Sequence, residues 1–585
     1  MRRFNFTLFM VFSVVPLVAA SNGIPSVNQP LVPSSVRPGR AGFTLKVNGS
    51  AFAHGAVVNW NGAPLATRFV NQGQLRAAVP AANVANAGTV NVTVTNPAPG
   101  GGTSSPLFLT VTEPTALLTF AASILNVGLT PAAIAEGDFN NDGKADLAVL
   151  NLYQPDSCYE YGGVGTIQLL LGNGAGGFST ASSTCLPDVL GIEGMPVLMA
   201  ENFGNGNLGV APEWYSAGEV GLTAYLGNGD GTFSSNYGLI GITDLDIPII
   251  PAFADFNLDG YLDVAFTQRD ADFPGIFVYF GSGNGTFGSG VGSTLLLGSG
   301  VFAGDFNGDG IQDLAVINYV DEAAPYSSGP LAIVLGSGGG SFVEAATQPT
   351  TTLVNPVWVT MGDFNGDGIL DMAFADSGST ALTVLLGNGD GTFTQKTGQP
   401  AGQGGGFIAT ADLNGDGKLD LVTLGYNSVL IYLGNGDGTF QTPLEVAVGN
   451  GPSQLAIGDF NGDGRLDIAV ANSVDNTISL LLQGPAATVS PSSLKFGKEA
   501  VGSTSNPRRV TLTNSGSAVL QLSRIVASGD FSEINNCQDI VPIRKSCDID
   551  VVFQPTATGL RTGTITITDN AADSPQVIQL SGTGD

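Results

Sequence analysis

The sequence predicts an all-β fold: a seven-bladed β-propeller with a β-sandwich on each side. Three observations predict it. The string D-x-N-x-D-G-x-x-D recurs six times, at Asp138, Asp255, Asp305, Asp363, Asp412 and Asp459. A glycine-rich turn of the LGNGDGTF type also occurs six times, following every copy but the last beyond apolar stretches and appearing once more at 225–233. The segments 21–112 and 485–585 carry neither feature and alternate apolar with polar residues. Residues 113–484 therefore form the repeat array, and residues 1–20 precede the first module.

Each repeat reads as four strands. An apolar strand enters the acidic loop (VFAGDF, WVTMGDF, QLAIGDF), and a second leaves it (DLAVLN, DVAFTQ, DLAVIN, DMAFAD, DLVTLG, DIAVAN). These runs are short, apolar and bounded by polar residues, which is the pattern of strands rather than helices. A third strand ends in the glycine-rich turn, and the Phe after that turn opens a fourth. Four antiparallel strands per unit of 47 to 64 residues is the period of a propeller blade. The string Asn202-Phe-Gly-Asn-Gly-Asn207 lies where a further loop is due, keeps its following turn and has lost every Asp, so it marks a seventh blade without a metal loop. The last blade has only three strands, ending in TISLLLQG (477–484), and 117–128 supplies a spare strand whose pairing would leave no free edge.

The loop chemistry suits a hard cation such as calcium, which takes oxygen ligands around a sharp glycine turn. Candidate ligands at positions 1, 3, 5, 7 (backbone carbonyl) and 9 are Asp138, Asn140, Asp142, Lys144 and Asp146; Asp255, Asn257, Asp259, Tyr261 and Asp263; and Asp305, Asn307, Asp309, Ile311 and Asp313. The other three sets are Asp363, Asn365, Asp367, Ile369 and Asp371; Asp412, Asn414, Asp416, Lys418 and Asp420; and Asp459, Asn461, Asp463, Arg465 and Asp467. An EF-hand is excluded, because position 12 of the first loop is Val149 inside a strand and not a bidentate Glu. Plain acidic hairpin turns would account for Asn-Gly-Asp-Gly, but turn propensity gives no reason for the Asp at position 9. About six structural calcium ions are expected.

These loops and turns resemble the FG-GAP/VCBS-type repeat propellers, whose best-known members are integrin α-subunit heads and a group of fungal lectins. The resemblance spans 113–484 and implies calcium loops that rigidify each blade. That scaffold serves adhesion, sugar binding and polysaccharide cleavage, so the resemblance alone leaves function open. Residues 21–112 resemble the Ig-like TIG domains, and 485–585 resemble ASH-type or choice-of-anchor Ig-like modules.

Met1-Arg-Arg-Phe followed by an apolar run to Ala20 reads as a secretory signal, and no other stretch suits a transmembrane span. Export makes disulfides the expected state of the cysteines, paired as Cys158–Cys185 and Cys537–Cys547. The formal net charge is −29, and the six loops hold 18 of the 49 acids. Six calcium ions would cancel twelve charges and leave about −17. With only 20 basic residues and no basic patch, nucleic acid is excluded as a partner.

The single histidine, His54, lies outside the repeat array, so no histidine-based catalytic triad fits there. We therefore expect a secreted or cell-surface protein acting in adhesion or in binding an extracellular glycan or protein. The alternatives are a polysaccharide lyase or glycosidase, and a purely architectural surface protein. Acidic loops and glycine-rich turns share one face of the ring, whereas the connections between second and third strands share the other. The aromatic and charged candidates for ligand contact on that second face are Tyr153, Tyr159, Tyr161, Trp214, Tyr215, Arg269, Tyr319 and Tyr326, and the short segment 424–428 lies there too.

Overall fold

The computed structural model describes residues 22–112, 114–115, 118–153, 165–186, 197–216, 219–243, 250–268, 275–288, 290–293, 298, 300–317, 331–353, 355–376, 382–400, 406–485, 487–514, 516, 519–542, 545–571 and 574–585. Between residues 120 and 483 the described chain forms seven four-stranded antiparallel sheets. In six of them the strands are consecutive, as in the first: Leu129–Gly137, Asp146–Tyr153, Gly165–Gly172 and Phe178–Leu186. The seventh is made of Pro452–Gly458, Asp467–Asn472 and Thr477–Gln483, and its outer strand is Phe120–Asn126. That strand runs antiparallel with Phe120 opposite Gln483 and Asn126 opposite Thr477.

The second strand of each repeat is apolar on both faces because each sheet has a neighbour on both sides. Leu147 and Val149 pack with Ala469, Ile478 and Leu480 of the seventh sheet. Ala148 and Leu150, one residue out of phase, pack with Leu198 and Val210 of the second. The same alternation continues between every other successive pair of sheets. A strand buried on both faces has no polar side to show, hence the continuous DLAVL run. Burial of each Leu, Ile or Val contributes about 1.5–3 kcal/mol.

A hydrogen bond joins each sheet to the one before it. The backbone N–H of the glycine two residues before the turn Phe donates to the carbonyl of the Phe at position 2 of the preceding loop. The pairs are Gly231 to Phe139, Gly285 to Phe203, Gly340 to Phe256, Gly391 to Phe306, Gly438 to Phe364 and, between first and seventh sheets, Gly176 to Phe460, at 2.9–3.3 Å. The loop Phe also meets the turn Phe of the next sheet edge-on, for instance Phe306 and Phe393 at 5.5 Å between ring centres. These glycines have φ near +80° and face a side chain of the preceding sheet, such as Leu335 against Gly391, so a Cβ would be strained twice over.

The seventh sheet has no glycine-rich turn, and a side chain makes the joint instead. Gln483 Nε2 donates to the carbonyl of Leu413 (2.9 Å), which holds the loop position occupied by Phe elsewhere. Phe is absent at 413 where no partner ring awaits it.

Two modules flank the seven sheets. In the N-terminal one, a sheet containing Phe43–Ser50 and Gln74–Val79 faces another containing Val57–Trp60, Gly88–Asn96 and Leu107–Val111 across one core that includes Trp60, Leu45 and Val92. The C-terminal module likewise closes two sheets over Phe496, Phe531 and Phe553. It carries the Cys537–Cys547 disulfide.

Replacing Gln483 by Leu leaves the Leu413 carbonyl unpaired at this joint. Its loss is expected to cost about 1–3 kcal/mol, measured as a lower urea midpoint for the repeat array. A midpoint equal to the wild type would show that the joint contributes nothing.

Candidate functional site

The six acidic loops are organised by their own backbone. In each, the carboxylate at position 1 accepts the N–H of the position-6 glycine, at 2.7–2.9 Å. The Asn at position 3 accepts the N–H of position 5, and the Asp there accepts the N–H of position 7, as with Asn307, Asp309 and Ile311. Two successive side-chain turns therefore fold the loop before any ion is considered.

Position 9 has a role that the sequence does not reveal. One oxygen of Asp313 accepts the N–H of Phe306 (2.9 Å), and the other accepts that of Gly336 at the end of the third strand (2.8 Å). The same pair of bonds is made by Asp146, Asp263, Asp371, Asp420 and, to Phe460 and Gln483, by Asp467. The ninth Asp thus staples the loop to the third strand, whether or not it also ligates a cation. Turn propensity gave no reason for this Asp, and these two bonds supply one beside cation ligation. In the second sheet Gly209 stands in its place, and Asn205 Nδ2 instead reaches the carbonyl of Gly227 (2.8 Å), so this repeat closes its loop without a carboxylate.

Among the described residues, no three His, Cys, Asp or Glu side chains are arranged as a metal site. The donor set nevertheless fits a hard cation: three carboxylates and an amide oxygen per loop, on about one turn of chain. The loop at Asp459 gives the sharpest test. There Asp463 Oδ2 is buried without a hydrogen-bond partner, whereas its counterparts in three other loops accept an Asn side-chain N–H, as Asp309 does from Asn307 at 3.0 Å. In the first loop Lys144 takes this position-5 carboxylate, Asp142, at 2.9 Å. Burial, opposed by the backbone N–H bonds and aided by repulsion from the neighbouring carboxylates, pushes Asp146, Asp263, Asp313 and Asp371 up to about 7. Burial likewise raises Asp463 to about 7 and Asp420 and Asp467 well above the ordinary value.

The N-terminal module sits over these loops. Ser35 donates to Asp412 and Thr89 to Asp459, both position-1 carboxylates. Lys46 Nζ reaches the carbonyl of Gly368 (2.8 Å), and Gln312 Nε2 reaches that of Gly49 (3.3 Å). Gly23 lies so close to Gly260 that neither could carry a Cβ, and Asn71 covers Gly310. Beneath the module lies a cavity of about 770 Å³, walled by Glu136, Glu201, Phe253 and Phe302 from the inner strands and by Asn48 and Gln74 from the module. Burial raises Glu201 to about 7.

On the opposite face, the described connections of the sixth and seventh sheets form a hydrogen-bonded rim. Val448 N–H donates to Asn427, Asn450 binds Asp475 through both backbone and side chain, and Thr130 N–H donates to Asn476. Tyr426 projects from this rim with 89% of its surface exposed, and Val474 is 69% exposed. Tyr426 was visible in the sequence only as a residue of a short connection. Its isolation from any core emerges from the fold.

Of the other sequence candidates, Tyr159, Tyr161, Arg269, Tyr319 and Tyr326 lie outside the described residues, as do Cys158 and the segment 1–20. Tyr153, Trp214 and Tyr215 fall at or near strand ends on the same face as Tyr426. Cys185 is disulfide-bonded. No helix among the described residues is long and apolar enough to cross a membrane.

The FG-GAP-like repeat family matches four segments, 255–316, 318–374, 364–423 and 412–470. The chain therefore carries FG-GAP-like repeats through its third to seventh sheets. No curated protein matches the sequence. Among solved structures, an Agrocybe aegerita lectin described as recognising non-reducing terminal N-acetylglucosamine is 18% identical, with a TM-score of 0.37 over 66% of this chain and 95% of the lectin. The rhamnogalacturonan lyase YesW is 13% identical, with a TM-score of 0.37 over 79% of this chain and 91% of the lyase. Likenesses this loose do not choose between binding and cleavage.

The raised carboxyl groups set the pH response of the cation-free chain. Their folded values lie above the unfolded value of 3.8, so their contribution is complete below it and is lost as pH rises through about 7. In excess chelator the melting temperature should therefore rise when pH is lowered from about 8 to about 5. A flat or falling profile would show that these carboxyls are not desolvated.

Proposed function

We propose that the seven sheets close into a seven-bladed β-propeller between two Ig-like modules, and that the exported chain acts in adhesion or in binding a glycan or protein ligand. Six calcium ions in the acidic loops serve structure, and recognition uses the opposite face. The observation that carries this reading is Tyr426, an aromatic ring left open on a rim whose polar groups are already fixed by their mutual hydrogen bonds. A rigid rim with an exposed ring suits stacking on a sugar or anchoring in a partner's pocket, because little side-chain freedom is lost on binding.

Among the described residues, the histidine and the loop carboxylates make a weak catalytic set. His54 is exposed in a turn of the N-terminal module, tilted against Phe69 with 5.5 Å between ring centres. The loop carboxylates are held by backbone N–H groups and are poor candidates for proton transfer.

The test is binding to glycan and protein arrays with calcium present, comparing wild type with Tyr426→Ala. A roughly tenfold loss of affinity at unchanged melting temperature is expected. Full retention of binding would place recognition elsewhere. Release of reducing ends or unsaturated products from a polysaccharide would make the chain an enzyme, and no ligand at all would leave the architectural role.

Calcium bound only to the folded state stabilises by mass action, about 2.7 kcal/mol per site at a hundredfold excess over Kd. Chelation at pH 7.5 should therefore lower the melting temperature by many degrees. An unchanged melting curve would remove the calcium loops from this reading.

A further inference from the structure

We infer that the N-terminal module completes two of the six loops: Ser35 and Thr89 fix the first carboxylates of the loops at Asp412 and Asp459, so cation binding there and docking of the module are one coupled event. This rests on the calcium reading above and adds to it a division of the six loops into two classes. In the other four, the position-1 carboxylates of Asp138, Asp255, Asp305 and Asp363 accept only N–H groups of their own loop among the described residues. At Asp412 and Asp459 a hydroxyl from a segment more than 350 residues away joins them.

The placement of the two hydroxyls is rigid. Ser35 and Thr89 lie on opposite sides of Thr110 in one sheet, each directly paired with it. Two strand spacings separate them, roughly 10 Å. That sheet edge spans the adjacent loops of the sixth and seventh sheets, so both hydroxyls engage together or not at all.

The module also removes solvent from these loops. Asn414 is only 4% exposed, and Thr115, just beyond the module, donates its N–H to the Asn414 carbonyl (2.8 Å). Gly88 closes over Gly464, and Asp463 Oδ2 is left buried and unpartnered beneath. Buried carboxylate charge, offset only in part at Asp463 by the Arg465 guanidinium, opposes docking, and a cation in the loop relieves it. Conversely, a hydrogen bond that fixes a ligating carboxylate typically raises metal affinity 10- to 100-fold. Each event favours the other by the same factor, as linkage requires.

Calorimetric calcium titration of the full chain tests this, alongside limited proteolysis separating the module from the repeats. Wild type should bind six ions in two classes, four and two, with proteolytic protection tracking the class of two. In Ser35→Ala/Thr89→Val, two of the six should weaken about 10- to 100-fold while four keep their affinity. Thr89→Ser, which keeps the hydroxyl, should behave as wild type. Six ions of unchanged affinity in the double variant would overturn the coupling and leave the calcium loops standing. No calcium bound by wild type would overturn both. If the double variant does not fold, wild type decides: protection that is indifferent to calcium overturns the coupling.

Discussion

The architecture depends on one repeated contact, the glycine N–H of each outer turn donating to the loop carbonyl of the sheet before it. This contact couples the two turns that define the repeat. The acidic loop presents a carbonyl and a Phe ring, and the glycine-rich turn presents an N–H and the Phe that meets it edge-on. Neither turn is explained by its own sheet alone. A hydrogen bond of this kind contributes only about 1 kcal/mol net, but it recurs from sheet to sheet and holds neighbouring apolar faces in contact. The seven apolar clusters between sheets then supply most of the stabilisation, since nearly all described residues of the second strands are buried on both faces.

The exceptions follow the same logic. Where the seventh sheet has no turn, Gln483 provides an N–H from its side chain, and the loop that receives it carries Leu413 instead of Phe. Where the second sheet lacks the acidic loop, Phe203 is kept and still meets Phe287. Losing the ninth Asp is tolerable because Asn205 holds the third strand by another route. Losing the Phe would break a joint to the neighbouring sheet. The ring contact and the acidic residues are thus each kept at six of the seven sheets and are lost at different ones, so the two turns vary independently.

Much of the repeat was legible because its signals are local. The period of the acidic string gave the number of sheets, and the apolar runs of the second strands announced burial on both faces. The spare strand at 117–128 could be matched to the three-stranded seventh sheet by counting. What stayed hidden was every contact between segments distant in the chain. Nothing in the string SSV at 34–36 points to Asp412, and nothing around Thr89 points to Asp459. Tyr426 was one aromatic among several until its exposure distinguished it. A single tyrosine in a three-residue connection looks the same in sequence whether it packs inward or stands free.

The ninth Asp shows what sequence reasoning about metal loops leaves out. Its recurrence invites the conclusion that a cation selects it, because turn geometry alone does not. The structure supplies a third cause, the need to tie the loop to the end of the third strand through two backbone N–H groups. Each carboxylate oxygen has a second lone pair, so stapling and ligation are compatible and the residue is doubly constrained. This separates the two contributions by condition. The staple acts in chelator as well as in calcium, so Asp313→Ala should destabilise the chain in both, by about 1–3 kcal/mol for each N–H left unpaired. Asp309→Ala leaves the staple intact and removes a loop carboxylate whose own hydrogen bonds, to Ile311 N–H and the Asn307 side chain, are exposed and can pass to water. Its cost should therefore appear chiefly in calcium, where a ligand is lost, and shrink in chelator. A cost of Asp313→Ala that disappears in chelator would mean that position 9 has no cation-independent role.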